Sequence, residues 1–106
     1  MIETKKTADE DVGFGLLRAK IDGYDRQIIK LLARRFKLIK EIGIYKASHN
    51  LPILDTRREK ELLSTRREQA FGVRIELVEN IFKIILDESH RIQEELRKGY
   101  IGKHNA

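Results

Sequence analysis

The 106-residue sequence contains no cysteine, which excludes disulfides, a catalytic thiolate and cysteine-ligated metal sites. It has a single proline and no apolar run near the ~18 residues that a membrane span needs. It also lacks a glycine-rich phosphate loop, a helical HExxH motif and a convincing Ser/His/Asp order. We therefore expect a cytoplasmic protein without a metal site or a cofactor.

Charged residues are abundant and mixed in sign. Lys and Arg number 22 against 17 Asp and Glu, which gives a formal net charge of +5. This balance suits an anionic ligand. The basic residues are interleaved with acidic ones and form no long run, so the sequence predicts neither a nucleic-acid partner nor a membrane partner.

The stretch from Leu16 to Ser48 has apolar residues at alternating spacings of four and three, which predicts one long helix with a packing seam. The seam residues are Leu17, Ile21, Tyr24, Ile28, Leu31, Leu38, Ile42 and Tyr45. Such a helix spans roughly 50 Å at ~1.5 Å per residue, more than a compact domain of this size. We therefore expect a second copy of the chain to cover part of the seam.

Two shorter segments complete an all-α prediction of long, short and long helices. Pro52 marks a connector, and Thr56 and Glu59 have the spacing of a capping box that would open a second helix running to about Gln69. A third helix is predicted from about Val73 to Lys98, with the seam Val78, Phe82, Ile85, Ile92 and Leu96. The predicted helical domain covers residues 14–98, between a flexible arm (1–13) and a flexible tail (99–106).

Arg35 occupies a position where the seam requires an apolar residue. One interpretation is an ion pair with an acidic residue across the bundle. The other involves Lys46, which lies about three turns later on the same face, roughly 16 Å away along the axis, so that both side chains could hold one small dianion.

Arg18 lies about 42 Å along the helix from Lys46 and points some 80° away, so one helix cannot bring both cations to one ligand. In an antiparallel pair of long helices, the first turn of one chain falls near the middle of the other. A symmetry-related chain could therefore supply Arg18.

Other polar residues have both structural and functional interpretations. Asp55, Arg58 and Glu59 lie in the first turn of the second helix, where acidic residues can cap the helix and Arg58 can be solvated. Ser89 breaks the seam of the third helix, and Gln93 follows four residues later, so the two could face one ligand. Ser89 could instead bond to the carbonyl four residues back.

The three histidines, His49, His90 and His104, are scattered over the connector, the third helix and the tail. We interpret each of them as a solvated surface residue rather than as a ligand or a base.

Four stretches resemble the AroQ class of chorismate mutases, the all-helical form of that enzyme: LLRAKIDGYDRQIIKLLARR, IGIYKA, PILDTRRE and FKIILDESHRIQ. The resemblance covers about residues 14–97. All eight positions of the family's site carry the expected residue type, namely Arg18, Arg35, Lys46, Asp55, Arg58, Glu59, Ser89 and Gln93.

The resemblance implies an isomerase of phenylalanine and tyrosine biosynthesis, which rearranges chorismate to prephenate by a pericyclic step. It implies an intertwined homodimer in which Arg35, and Arg18 of the partner subunit, bind the substrate carboxylates. Lys46 and Gln93 would donate to the ether oxygen, and Glu59 would accept from the ring hydroxyl. Arg58 would add positive charge.

The resemblance also assigns the two remaining positions: Asp55 would help to hold the hydroxyl end, and Ser89 would contact a carboxylate.

Two alternative functions stay open. Isochorismate pyruvate lyase shares the scaffold, although the acidic group at Glu59 favours the mutase. A helical interaction or nucleic-acid-binding module would use the same seam, but it gains nothing evident from Arg35 inside that seam.

Overall fold

The computed structural model describes residue 7 and residues 10–104, and all regular structure in those residues is helical. The helices are α1 (Val12–Ser48), α2 (Thr56–Gln69) and α3 (Ile75–His104). This confirms the all-α prediction of a long, a short and a long helix. Residues 1–6, 8, 9, 105 and 106 lie outside the described part. Residues 12 and 13 of the predicted arm and residues 99–104 of the predicted tail are helical, and the flexibility of the two ends stays a prediction.

Helix α1 begins before its predicted start at Leu16. The side chain of Asp11 caps it, because Oδ1 accepts a hydrogen bond from the backbone N–H of Phe14 at 2.8 Å. Gly13 and Gly15 weakened the prediction, since glycine lowers helix propensity. The cap supplies a partner for one of the first-turn N–H groups, and the helix extends back to Val12.

Helix α1 ends at a Schellman motif before the proline. Asn50 has a positive φ of 53°, and the N–H of Leu51 donates to the carbonyl of Lys46 at 2.8 Å. The N–H of Asn50 donates to the carbonyl of Ala47 at 3.4 Å. The motif turns the chain back immediately after the last turn of α1, so the connector begins beside Lys46.

Helix α2 is capped by Asp55, whose Oδ1 accepts from the backbone N–H of Arg58 at 3.0 Å. The predicted capping box of Thr56 and Glu59 was therefore wrong, whereas the alternative cap by the acidic residue Asp55, one residue earlier, is confirmed. This shift leaves the carboxylate of Glu59 free of a capping role. After α2, Gly72 adopts a φ of 74°, as expected of a glycine that separates two helices.

Helix α3 starts later than predicted and continues past the predicted end at Lys98 to His104. Gly99 and Gly102 lie inside it, and glycine weakens a helix without ending it unless a reversal follows. The ring of His104 stacks on that of Tyr100 at 4.0 Å between centroids, which supports the added turn.

The chain divides into two compact units, Met1–Arg35 and Phe36–Ala106. The second unit contains the buried residues Ala47, Leu62, Ile85, Ser89, Ile92 and Gln93. In this unit α2 packs on α3, and Leu62 is the buried residue of α2. Two of these buried residues, Ser89 and Gln93, are polar, and this marks where a site can form.

In the first unit, the apolar seam of α1 is exposed in the single chain. Its five predicted seam residues are between 55% and 66% exposed, namely Leu17, Ile21, Tyr24, Ile28 and Leu31. Contiguous apolar surface of this kind is typical of a surface that another chain covers. None of the three described helices is both long enough and apolar enough to cross a membrane.

Candidate ligand-binding site

The second unit holds six of the eight predicted site residues: Lys46, Asp55, Arg58, Glu59, Ser89 and Gln93. Arg18 and Arg35 belong to the first unit, and their part in the site stays a prediction. The guanidinium of Arg18 lies 4.4 Å from the centroid of the Phe14 ring, and Arg35 is half-buried.

Lys46 is half-buried in the last turns of α1, and its Nζ donates to the carbonyl of Ile53 at 2.7 Å. Burial lowers the pKa of Lys46, because it removes water from the ammonium group, and the positive charge of Arg97 lowers it further. Asp55 and Glu59 act in the opposite direction. An ammonium group has three donors, so the bond to Ile53 leaves others for a ligand.

Glu59 links α2 to α3 by contacting a histidine. Its Oε1 pairs with Nε2 of His90, and the two side chains are 21% and 27% exposed, respectively. The interpretation of His90 as a solvated surface residue was therefore wrong. Its partner is a charged residue on a polar helix, and apolar periodicity gives no signal for such a pair. His49 and His104 are exposed, as predicted.

Gln93 lies where α3 approaches α1 closely. It is 4% exposed, and its Oε1 has no hydrogen-bond partner among the described residues. A Cβ added at Gly43 would lie 3.3 Å from Cγ of Gln93 and 3.1 Å from Cδ1 of Leu96. Gly43 precedes Lys46 by three residues, so the two share one face of α1. The close approach at Gly43 therefore sets Gln93 against the face that carries Lys46.

A buried amide with an unpartnered atom is unfavourable unless a ligand uses it. The primary amide carries both an acceptor and two donors, and a rotation about its last torsion exchanges them. Gln93 is therefore able to donate to a ligand atom placed near Lys46.

The remaining predicted residues of the second unit have structural contacts as well. Oγ of Ser89, which is 1% exposed, donates to the carbonyl of Ile85 at 2.7 Å, as the structural alternative anticipated. Asp55 caps α2 through one oxygen, and Arg58 is exposed in the first turn of that helix. The roles of Ser89, Asp55 and Arg58 in ligand binding therefore stay predictions.

Arg97 is a residue of this cluster that the sequence reasoning missed. Its Nη2 donates to the carbonyl of Leu51 in the connector at 2.6 Å, and its buried Nε has no partner among the described residues. Its charge acts on Lys46. A signal existed in the sequence, since Arg97 follows Gln93 by one helical turn on the same face.

Together these residues suit an anionic ligand that also carries a hydroxyl group. Lys46 on α1 and Gln93 on α3 are donors, and Glu59 on α2 is an acceptor that contacts α3 through His90. Within residues 10–104, no three His, Cys, Asp or Glu side chains group closely enough to hold a metal ion.

Comparison of the sequence with known proteins identifies a matching family. Residues 17–94 match the sequence model of chorismate mutase type II. The chain is 35% identical over 86 residues to the T-protein of Enterobacter agglomerans, which covers 79% of this chain and 22% of that protein. It is 37% identical over 76 residues to the T-protein of Haemophilus influenzae, and this match covers 70% of this chain and 20% of that protein.

A third relative is the bifunctional chorismate mutase/prephenate dehydratase of Aquifex aeolicus, 34% identical over 91 residues, with 81% of this chain and 25% of that protein covered. The chain thus spans about a fifth to a quarter of the length of these relatives.

Proposed function

The chain belongs to the chorismate mutase type II family, and from that premise we propose that it rearranges chorismate to prephenate in phenylalanine and tyrosine biosynthesis. The observation that carries the proposal is the placement of two donors, Lys46 and Gln93, across the close approach of α1 and α3 at Gly43. No covalent intermediate is needed, which agrees with a site built of donors and charges.

In this reaction one C–O bond breaks while a C–C bond forms within the same molecule, and the ether oxygen becomes negative on the way. A positive charge and a donor aimed at that oxygen stabilise the transition state more than the ground state. Lys46 and Gln93 take these roles. Holding the flexible substrate in its compact reactive conformer supplies the rest of the rate enhancement.

The remaining residues bind the substrate. Glu59 accepts from the ring hydroxyl, with Asp55 at the same end. Arg35, and Arg18 of the partner subunit, bind the two carboxylates. Arg58 adds positive charge, and Ser89 contacts a carboxylate.

Sharing the site in this way requires a homodimer. The proposal is supported by the apolar seam of α1, whose residues are more than half exposed in the first unit of the single chain. Removing such a seam from water is what most favours association of two copies. A cytoplasmic location, and the absence of nucleic-acid or membrane partners, belong to the same proposal.

The test is to incubate purified protein with chorismate and to identify prephenate as the product by NMR. Lys46→Ala, purified in parallel, controls for a contaminating host enzyme. We expect kcat of this variant to fall by about 10² to 10³, the usual loss for one preorganised donor. Incubation with isochorismate, followed by a pyruvate assay, identifies the lyase. Pyruvate release without prephenate formation would reject the mutase.

A further inference from the structure

The contact between His90 and Glu59 has no part in the function proposed so far. It joins α3 to α2 through one imidazole nitrogen, Nε2, and one carboxylate oxygen, Oε1. Both side chains are largely shielded from water, with exposures of 27% and 21%. A polar contact shielded to this degree holds its partners more firmly than an exposed pair does.

The carboxylate of Glu59 interacts with groups on two other helices. One is His90 on α3, and the other is Lys46 on α1, whose pKa is raised by the charge of Glu59 against the larger effect of burial. Glu59 has several rotatable bonds, so without a fixed contact it would sample both directions. The bond to His90 selects one direction and leaves the second oxygen available as an acceptor.

We propose that His90 is a positioning residue, which holds Oε1 of Glu59 so that the other carboxylate oxygen is aimed at a hydroxyl group of the ligand. The proposal rests on the proposed function, because there the hydroxyl is that of the substrate ring. It assigns to His90 the selection of ligands that carry this hydroxyl.

The kinetic test uses two substitutions at one position. His90→Leu keeps apolar bulk and removes the donor, whereas His90→Gln places an amide nitrogen near the position of Nε2. The ring hydroxyl is bound in the ground state and in the transition state alike, so losing its acceptor raises KM rather than lowering kcat. We expect His90→Leu to raise KM about tenfold with kcat within about threefold, and His90→Gln to restore most of the loss.

Arg91→Gln is the matched control. Arg91 is the next residue of α3, and it pairs with Glu88 and Glu95 on the exposed side of that helix. We expect this variant to leave KM unchanged, although it removes more ion pairs than the change at His90 does.

A double-mutant cycle separates positioning from a packing role between α2 and α3. In the Glu59→Gln background, His90→Leu should raise KM no further, because the acceptor that it positions is already altered. An equal rise of KM in both backgrounds would mean that His90 acts only through packing, and this would overturn the proposal.

A spectroscopic measurement tests the contact without relying on activity. The imidazole ¹⁵N resonances of His90 in the ligand-free protein should shift when Glu59 is changed to Gln, and those of His49 should not. Unchanged His90 resonances would overturn the inference. If the resonances shift but the native protein does not convert chorismate, the pair stands, and the proposed function and the substrate role of His90 both fall.

Discussion

At the scale of single residues, the proposed site combines two donors that respond differently to pH. Lys46 donates only while it is protonated, and burial lowers its pKa. Gln93 is an amide, which donates at any ordinary pH. We therefore expect substitutions that affect Lys46 and substitutions of Gln93 to change the pH profile of the activity in different ways.

Changing Gln93 to Glu should add a titrating donor, and with it a pH dependence, at a position where the native amide has none. A carboxylic acid donates a hydrogen bond only while protonated. Below the pKa of the introduced group, the variant should approach native activity, and activity should fall as the pH rises through that value. The measurement is kcat between pH 4 and 9, with Gln93→Ala as a variant that has no donor at any pH. A profile of Gln93→Glu parallel to that of the native enzyme would remove Gln93 from the proposed donor role.

Arg97 should contribute to the position of the alkaline limb of the activity, because its charge is one of the causes that lower the pKa of Lys46. Burial and the charge of Arg97 both lower the pKa of Lys46, so the protonated donor is lost at a lower pH than for an ordinary lysine. Arg97→Gln removes the smaller of these two causes and leaves burial, the larger one, in place. The pKa of Lys46 should then rise, and the alkaline limb of kcat/KM should move to higher pH.

Arg97→Lys is the control, because it keeps the charge while disturbing the bond to the carbonyl of Leu51 as well. The alkaline limb of kcat/KM of Arg97→Lys should stay close to that of the native protein. If both variants move the limb equally, the connector and not the charge of Arg97 governs Lys46.

At the scale of the helices, periodicity predicted all three elements, and their ends were predicted less well. The start of α1 was misplaced because the cap at Asp11 is a single polar residue before two glycines. The end of α3 was misplaced because Gly99 and Gly102 stay helical. Caps and glycines act through one hydrogen bond or one torsion, whereas periodicity sums over many residues.

Gly43 is the residue of α1 against which the Gln93 side chain of α3 packs, so a change at Gly43 should move the proposed donor. An added Cβ would lie 3.1 Å from Leu96 and 3.3 Å from Gln93, so these side chains must shift by a few tenths of an ångström. Alanine favours a helix over glycine by about 1 kcal/mol, which offsets the strain. We expect Gly43→Ala to leave the melting temperature within a few degrees of the native value and to lower kcat about tenfold, because the Gln93 donor is misplaced.

Gly99→Ala provides the comparison for Gly43→Ala. It also lies inside a helix, and an added Cβ there meets nothing within 4 Å. It should gain helix stability without loss of kcat. If Gly43→Ala instead kept the native kcat, the expected effect of displacing Gln93 would be contradicted.

At the scale of the whole molecule, the sequence predicted residue types better than contacts. It placed Lys46 among the candidates because Lys46 shares a helix face with Arg35, and Gln93 because it follows Ser89 by four residues. Glu59 was a candidate through its place in the first turn of the second helix. It misinterpreted His90 as a surface residue and overlooked Arg97, although the spacing of Arg97 from Gln93 was visible. The partners of His90 and Arg97, which are Glu59 and Leu51, lie 31 and 46 residues away. Contacts of that range follow from how α2 and the connector meet α3, which no local pattern encodes.

The exposed seam of α1 leads to a prediction about two chains together. If each site takes Arg35 from one subunit and Arg18 from the other, the variants Arg18→Ala and Arg35→Ala should both be nearly inactive alone. After mixing and subunit exchange in equal amounts, half of the dimers contain one chain of each kind. Each of these has one site with both arginines and one with neither, so about a quarter of all sites should regain native activity.

Native mass spectrometry of the mixture shows whether exchange has taken place, and self-mixing of each variant gives the baseline. If both arginines of a site came from one chain, every site in the mixed dimer would still lack one of them. Mixed dimers without recovered activity would therefore assign Arg18 and Arg35 to the same chain. A folded, active monomer in sedimentation would exclude sharing altogether, because the seam would then need no partner.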